Sequence, residues 1–427
     1  MAEEFTALHR VLGRPPGPIT VDMIDDAVRG RIEETSDLDW KSELPAAKAV
    51  SQGDFPKDVA AMANSGGGML VFGVKCEPKS KAANERVDVH ELSENHERAL
   101  RSAAVTAVSP PVFGLQVTRL KDNLGHCVVV AVPPSIDGPH LVYRGEYFGA
   151  PIRNDADTVW MRERQIEAMY RTRLDTRRHN AETLSRIYGD LSNVHPTMDR
   201  AWLIAVAQPR IPSIRTERLT REAATELFQK ASDVESLNVW ASNQHPLRRM
   251  DIYSPRPGLR RWTVMTPYQT DRDAWRAGAA SIHFDGSVTL AVAIGGELKP
   301  SGEAWPGAVV QSPAIEDAVA VLMALIRTVS GLFERTEYEI RIGIEFEAGA
   351  PIEIYSVDSF KQPYADTAVP LPRFAPVDAA VDAGADADAY LEQARSIALD
   401  CVNQGGAERL HIMGAYQSPY PGGPQPQ

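Results

Sequence analysis

The sequence predicts an α+β protein in two parts: an N-terminal mixed sheet with packed helices, then a second α+β domain. Three observations carry this. The stretch from Asp54 to Val74 reads as helix, glycine turn and buried strand in direct succession. The remainder alternates short apolar runs with helix-period segments, and no apolar run is long enough to span a bilayer. Far downstream, Asp285-Gly286 between two β-like runs marks a hairpin, and a long apolar helix follows from Ser312-Pro313.

In order along the first part, Val21, Ile24, Val28 and Ile32 recur at helical spacing, with Thr20 as a cap. Leu38 and Trp40 alternate with Asp39 and Lys41, which predicts a strand with both charges on one face. Asp54 and Pro56 open the next helix; Val59, Met62 and Ala63 give its apolar face, and Asn64 with the glycines ends it. Met69–Val74 is predicted as a central strand. A helix over Glu91–Val108 ends at Pro110-Pro111, and strands follow at Gly114–Leu120 and His126–Val132. Leu141–Arg144 and Tyr147–Arg153 form a predicted hairpin about Gly145-Glu146, and Met161–Leu174 a closing helix.

The second part predicts strands at Ala201–Ala207, Arg261–Thr266, Ser281–Phe284, Ser287–Val292, Tyr338–Phe346 and Ile352–Val357. Its long helix carries Ile315, Val319, Leu322, Ile326 and Val329 on one face. Asp378, Asp382, Asp386 and Asp388 lack the glycine-centred pattern of a calcium loop and are expected in a solvated linker before a helix over Ala389–Val402. The expected domains are therefore 15–178, a helical linker 179–198, an α+β domain 199–415 and a disordered Pro/Gly/Gln tail 416–427.

With 43% hydrophobic and 24% charged residues, the composition is that of a globular protein with its own cores. The acidic N-terminus argues against a secretory signal, and Cys76, Cys127 and Cys401 lack ligand spacing, so a cytoplasmic location with reduced thiols is expected. Net charge is −12, which opposes binding to phosphates. Its distribution softens that objection, because residues 1–178 hold 23 basic and 26 acidic side chains, leaving about −9 downstream.

The order Glu34, Asp39, Trp40, Lys41, then Ala61, Ala63, Asn64, Gly66, Gly67, the strand and Gly73-Val74, resembles the AlbA-like nucleic-acid-binding domain of Schlafen proteins and bacterial regulators. Pro139-His140, Tyr147, Ile152-Arg153-Asn154, Thr158 and the helix ending Ile166–Tyr170 are similar to its later landmarks. In Schlafen-type nucleases three carboxylates gather a divalent ion. The resemblance therefore implies Glu34 and Asp39 as metal ligands, Lys41 as a catalytic group facing phosphate, and Mg²⁺ or Mn²⁺ as cofactor if the chain is a nuclease. Glu77 is the candidate third metal ligand, but its position is displaced: Lys75-Cys76 follows Val74 and Glu77 comes one residue late, on the opposite face of an extended strand unless a turn after Val74 restores it.

Nucleic-acid contacts are expected from Lys41, Asn64, Gly66, Gly67, Gly68, Arg144, Arg153, Arg162, Arg164 and Arg171. Two readings of the arginine cluster that continues through Arg173, Arg177 and Arg178 stand side by side, a phosphate-binding face or a solvated helix end paired with Glu163, Glu167 and Asp175. Likewise Asp39 and Lys41 read either as a site or as a simple pair on an edge strand. The glycines fail as a dinucleotide fingerprint because they precede a strand. They suit a helix cap with close backbone approach, or N–H groups offered to phosphate. His90, His126 and His140 lack partners at ligand spacing, so core or surface roles are expected for them, while Pro139-His140 recurs in the resembling domain, which also implies a place lining its cleft.

The leading expectation is a Schlafen-like protein that binds RNA (tRNA-like) or single-stranded DNA, with a regulatory or defence role carried by the family. RNA is preferred over duplex DNA, a homodimer supplies a second lobe, and no membrane is involved. Two alternatives remain: a metal-dependent endoribonuclease (phosphodiesterase) at the acidic site, and an oligomeric interaction or sensor protein without nucleic-acid activity.

Overall fold

The computed structural model describes residues 5–211, 218–233, 245–267, 271–299, 301–333, 336–357, 363–364 and 368–413. The expected tail 416–427 lies outside them. Two compact units emerge, Met1–His179 and Asn180–Gln427.

The first unit begins with helices α1 (Ala7–Leu12) and α2 (Val21–Arg29), then strand β1 (Leu38–Lys41), helix α3 (Phe55–Asn64) and strand β2 (Gly68–Phe72). A short hairpin, β3 (Val74–Cys76) and β4 (Ala83–Arg86), leads to α4 (Glu94–Thr106) and β5 (Val108–Ser109). The hairpin β6 (Gln116–Asp122) and β7 (Gly125–Val132) follows, then β8 (Leu141–Arg144), β9 (Tyr147–Gly149), β10 (Pro151–Asn154), β11 (Asp157–Trp160) and the long helix α5 (Glu163–Ser192).

Its main sheet has the order β1-β2-β7-β6. β1 runs parallel to β2, so the chain must cross over between them, and α3 makes that crossover. Both faces of this sheet are covered. Leu70, Phe72, Val128 and Val130 pack under α3 and α4 with Val59, Met62 and Leu100, whereas Leu38, Trp40, Met69, Val71 and Val129 pack with Leu8, Met23 and Ile24 of α1 and α2. Double coverage explains why β2 and β7 are continuous apolar runs rather than alternating ones. It also fixes the site: residues alternate along β1, so Asp39 and Lys41, in register with Leu70 and Phe72, fall on the α3 side.

Several expectations are refined here. Tyr147–Arg153 is not one strand: β9 returns on β8, and β10 then pairs with β11 in a separate ribbon. The closing helix does not stop at Leu174, and the expected linker 179–198 is largely its continuation, since α5 runs unbroken to Ser192. The residues after His179 belong to the second unit, where Leu184 and Tyr188 pack on Trp202, Ile204 and Val206.

The second unit contains β12 (Trp202–Pro209), α6 (Arg221–Asp233), α7 (Pro246–Arg249), β13 (Arg256–Gly258), β14 (Arg261–Met265), β15 (Gly278–His283), β16 (Val288–Ala293), β17 (Val309–Gln311), α8 (Ser312–Phe333), β18 (Glu337–Glu345), β19 (Glu353–Val357), β20 (Pro363–Tyr364), β21 (Val377–Asp382) and α9 (Ala387–Asn403). A seven-stranded antiparallel sheet, β13-β14-β15-β16-β12-β18-β21, forms its centre. Leu203, Leu290, Ile340 and Ile342 on one face meet Leu322 and Ile326 of α8, with Phe228 of α6 and Ala394 of α9 in the same core. The stretch expected as a linker is instead the edge strand β21, with Asp378 paired to Arg341 at 2.7 Å and Asp386 capping α9 through the Ala389 N–H. Among the described residues no helix is long and apolar enough to cross a membrane.

Candidate nucleic-acid interface

A cleft of about 390 Å³ opens in the first unit, lined by residues of β1, α3, the β3–β4 turn and the β10–β11 ribbon. Asp39 and Lys41 reach it from β1, and Asp58 faces them from the first turn of α3. Lys41 Nζ lies 2.9 Å from Asp39 Oδ2 and 3.0 Å from Asp58 Oδ2, and thus bridges two buried carboxylates. The other oxygen of Asp39 pairs with Arg153 Nη1 at 3.2 Å. Arg153 also donates to Thr158 Oγ1 and to the Thr35 carbonyl, both at 3.2 Å.

Glu34 stands beside this group. Its Oε1 accepts the Trp40 N–H at 3.3 Å, and Lys81 Nζ lies 3.9 Å from Oε2. Lys81 is tied in turn to Asp157 and to the Ala156 carbonyl across the cleft mouth. Burial, with the Asp39 charge nearby, pushes the Glu34 carboxyl up to about 7, against the Trp40 hydrogen bond and the two cations. Burial works against the Lys41 ammonium, yet the flanking carboxylates of Asp39 and Asp58 outweigh it and hold Lys41 firmly protonated. Burial pushes the Asp58 carboxyl up, with Lys41 opposing and Asp39 adding repulsion.

The expected metal triad is not assembled. Glu77 lines the rim, but its Oε2 pairs with Arg31 at 2.8 Å and accepts from Ser80 at 2.9 Å. A hard divalent cation needs several anionic oxygens and open positions. Here both Asp39 oxygens already face cations, and Lys41 stands between Asp39 and Asp58. Among the described residues no three His, Cys, Asp or Glu are grouped to hold a metal. The arrangement of Glu34, Asp39 and Glu77 therefore does not fit a bound Mg²⁺ or Mn²⁺.

Other expected contacts prove structural. Asn64 is buried and donates to the carbonyls of His140 at 3.0 Å and Pro151 at 2.8 Å, while its Oδ1 accepts the His140 N–H at 2.7 Å. It fastens the end of α3 to β10 and to the segment entering β8 instead of facing a ligand. His140 is wholly buried, its ring held by the Pro110 carbonyl and Ser135 Oγ at 2.7 Å each. Gly66 and Gly67 both have φ of +92°, and the Gly67 N–H is spent on the Met62 carbonyl at 2.9 Å. A Cβ at Gly67 would lie 2.9 Å from the Pro134 nitrogen and Val132 oxygen, and one at Gly68 would collide with the Met62 sulfur. Gly67 and Gly68 thus serve close packing, Gly66 has open space around it and serves the positive φ of the turn, and the expected phosphate cradle finds no support at Gly67.

Arg153 is likewise buried beneath the cleft, whereas Arg162, Arg164 and Arg171 are exposed on the approach to and along α5. Arg171 pairs with Glu167 at 2.6 Å, and Arg177 with Asp137 at 3.0 Å. Arg162 and Arg164 have no ion-pair partner among the described residues. Arg144 ends β8; its side chain lies outside the described part. Sequence reasoning did not assign Asp58, Lys81 or Thr158 to the site. A signal for Asp58 existed: it is a charge within a helix whose next four residues, Val59, Ala60, Ala61 and Met62, are all apolar.

Residues 34–162 match the family model described as Schlafen, AlbA_2. The first unit carries a Schlafen-type AlbA-like domain. Two solved structures are similar to the chain. One is the N-terminal domain of a putative ATP-dependent DNA helicase RecG-related protein from Nitrosomonas europaea, 16% identical, covering 34% of this chain and 94% of that one with a TM-score of 0.26. The other is the DIP2311 protein from Corynebacterium diphtheriae, also 16% identical, covering 53% of this chain and 39% of that one with a TM-score of 0.24. Neither likeness bears on function, and no curated protein matches the chain. The cleft and the glycine turn both fall within the AlbA-like match, while Arg164 and Arg171 lie just past its end.

Proposed function

We propose that the AlbA-like domain binds nucleic acid, with RNA or single-stranded DNA as the partner, and that its cleft is a binding element rather than a metal-dependent cleavage site. The observation that carries this is the exposed pair Arg162 and Arg164, unneutralised among the described residues, at the start of α5 where the family match ends. Guanidinium groups free of carboxylates are available to phosphate oxygens, and each contact releases counterions. The bridged carboxylates of the cleft support binding over cleavage, because the two oxygens of Asp39 already face the cations of Lys41 and Arg153.

The test is fluorescence anisotropy of labelled tRNA and single-stranded DNA across a salt series, with EDTA or Mn²⁺ present. Wild type is expected to bind in EDTA with a steep salt dependence. Arg162→Glu with Arg164→Glu should flatten the log–log slope by about 1.4, at roughly 0.7 per phosphate contact on a single strand. Absence of salt-sensitive binding to either ligand refutes the proposal, and Mn²⁺-dependent cleavage lost in Asp39→Ala would restore the nuclease reading.

A further inference from the structure

We infer that the β8–β9 hairpin together with Trp160 is a stacking platform for unpaired nucleobases, which makes the domain selective for single strands. The inference rests on the nucleic-acid reading above and specifies its ligand. Large aromatic side chains are seldom left in water as a group, and here four are: Tyr143 is 58% exposed, Tyr147 79%, Phe148 61% and Trp160 49%.

Their arrangement is ordered. Tyr143 and Phe148 are directly opposite in the hairpin register, so they project from one face, with ring centroids 5.8 Å apart at 44°. Tyr147 projects from the other face. So does the position of Gly149, two residues on, and there a Cβ would come within 2.6 Å of the Trp160 ring. The indole therefore lies against the Gly149 backbone on Tyr147's side of the hairpin. Each face thus offers two rings, and every base has a π-face that such rings can accept.

Two observations select unpaired bases as the occupant. The first is charge: Arg162 and Arg164 follow Trp160 by two and four residues and are exposed, so cations for a sugar-phosphate backbone flank the rings. The second is continuity with the cleft. Trp160 sits on β11, whose Asp157 and Thr158 line the cleft, and two residue steps on a strand span about 7 Å. One ribbon therefore joins the rings to the polar cleft. A duplex hides its base faces in its own stack and gains nothing from exposed rings, whereas a single strand can lay a base on each.

The experiment uses the full chain with labelled oligo(U), oligo(dT) and an RNA duplex of equal length. The variants are Tyr147→Ala with Phe148→Ala, and the ring-preserving Tyr147→Phe with Phe148→Tyr; both positions are exposed, and circular dichroism checks that the fold persists. The expected result is tighter wild-type binding to the single strands, a loss of roughly ten- to a hundred-fold for them in the alanine pair, duplex affinity within about two-fold, and near wild-type behaviour of the ring-preserving pair. If wild type binds single strands and the alanine pair binds them equally well, the platform is refuted while the nucleic-acid reading stands. If wild type binds none of the three, both fall. A change of molar mass in the alanine pair by light scattering, with single-strand affinity unchanged, would assign the rings to contact between copies of the chain and overturn the inference.

Discussion

Replacing Lys41 by Met tests whether the cleft network is a structural lock. Met keeps much of the length of the side chain and deletes the ammonium that bridges Asp39 and Asp58. Asp39 retains Arg153, so Asp58, 7% exposed in its side chain, becomes the uncompensated buried charge. Breaking a buried ion pair from one side costs about 3–5 kcal/mol; the Lys41 side chain is 34% exposed, which lowers the expectation to roughly 2–4 kcal/mol. For a unit of this size that is a fall of roughly 5–15 °C in midpoint. Thermal proteolysis with peptides of residues 1–179 read separately by mass spectrometry isolates this unit from the other. The sign with pH is also determined. Losing Lys41 raises the Asp58 pKa further, so the penalty is present near neutral pH and shrinks on acidification as the carboxyl takes a proton. A midpoint within about 2 °C of wild type at pH 7.5 would refute the lock and leave Lys41 free to serve as a phosphate contact.

Two further predictions concern the same unit. Glu34 has a folded pKa of about 7 against an ordinary value of 4.5, so the folded state holds its proton more tightly and stability drops as pH rises through that window. Glu34→Gln, which keeps an acceptor for the Trp40 N–H, should remove the drop and stabilise the unit by roughly 2–3 kcal/mol at pH 8 in urea titrations; a variant equally or less stable there would contradict it. Asn64→Ala should cost about 2–4 kcal/mol, because it strands the His140 N–H and two carbonyls. Hydrogen exchange should show faster labelling of the 140–151 stretch, and an unchanged rate would place the fastening elsewhere.

Much of this architecture was legible because local patterns and tertiary environment agree. Thr20 and Asp54 stand at the starts of their helices, and Gly66, Gly67 and Gly286 take the positive φ that suits them. The elements beside them formed as expected. Elsewhere packing overrode local signs. The alternation of Val377, Ala379 and Val381 with polar or small residues was hidden by alanine and aspartate, both poor strand formers, yet pairing with β18 makes it a strand. The break between β9 and β10 was invisible because it depends on which partner each half meets.

The cleft was half legible. Alternation along β1 placed Asp39 and Lys41 together, but nothing local announces that Asp58 arrives from α3 or Arg153 from β10. Those meetings are made by the crossover and by the ribbon, and local propensity does not encode them.

The two outer strands of the seven-stranded sheet bear on how the protein behaves in concentrated solution. An open sheet edge is a template on which another chain can add a strand. One edge here is β13, only three residues long, with Pro257 at its centre offering no N–H. The other is β21, where exposed Asp378 and Asp382 set charge along the rim. Both edges are thereby blunted against strand addition. On this sheet, the obstacle to a strand arriving from another chain is thus one imino acid at one end and two carboxylates at the other.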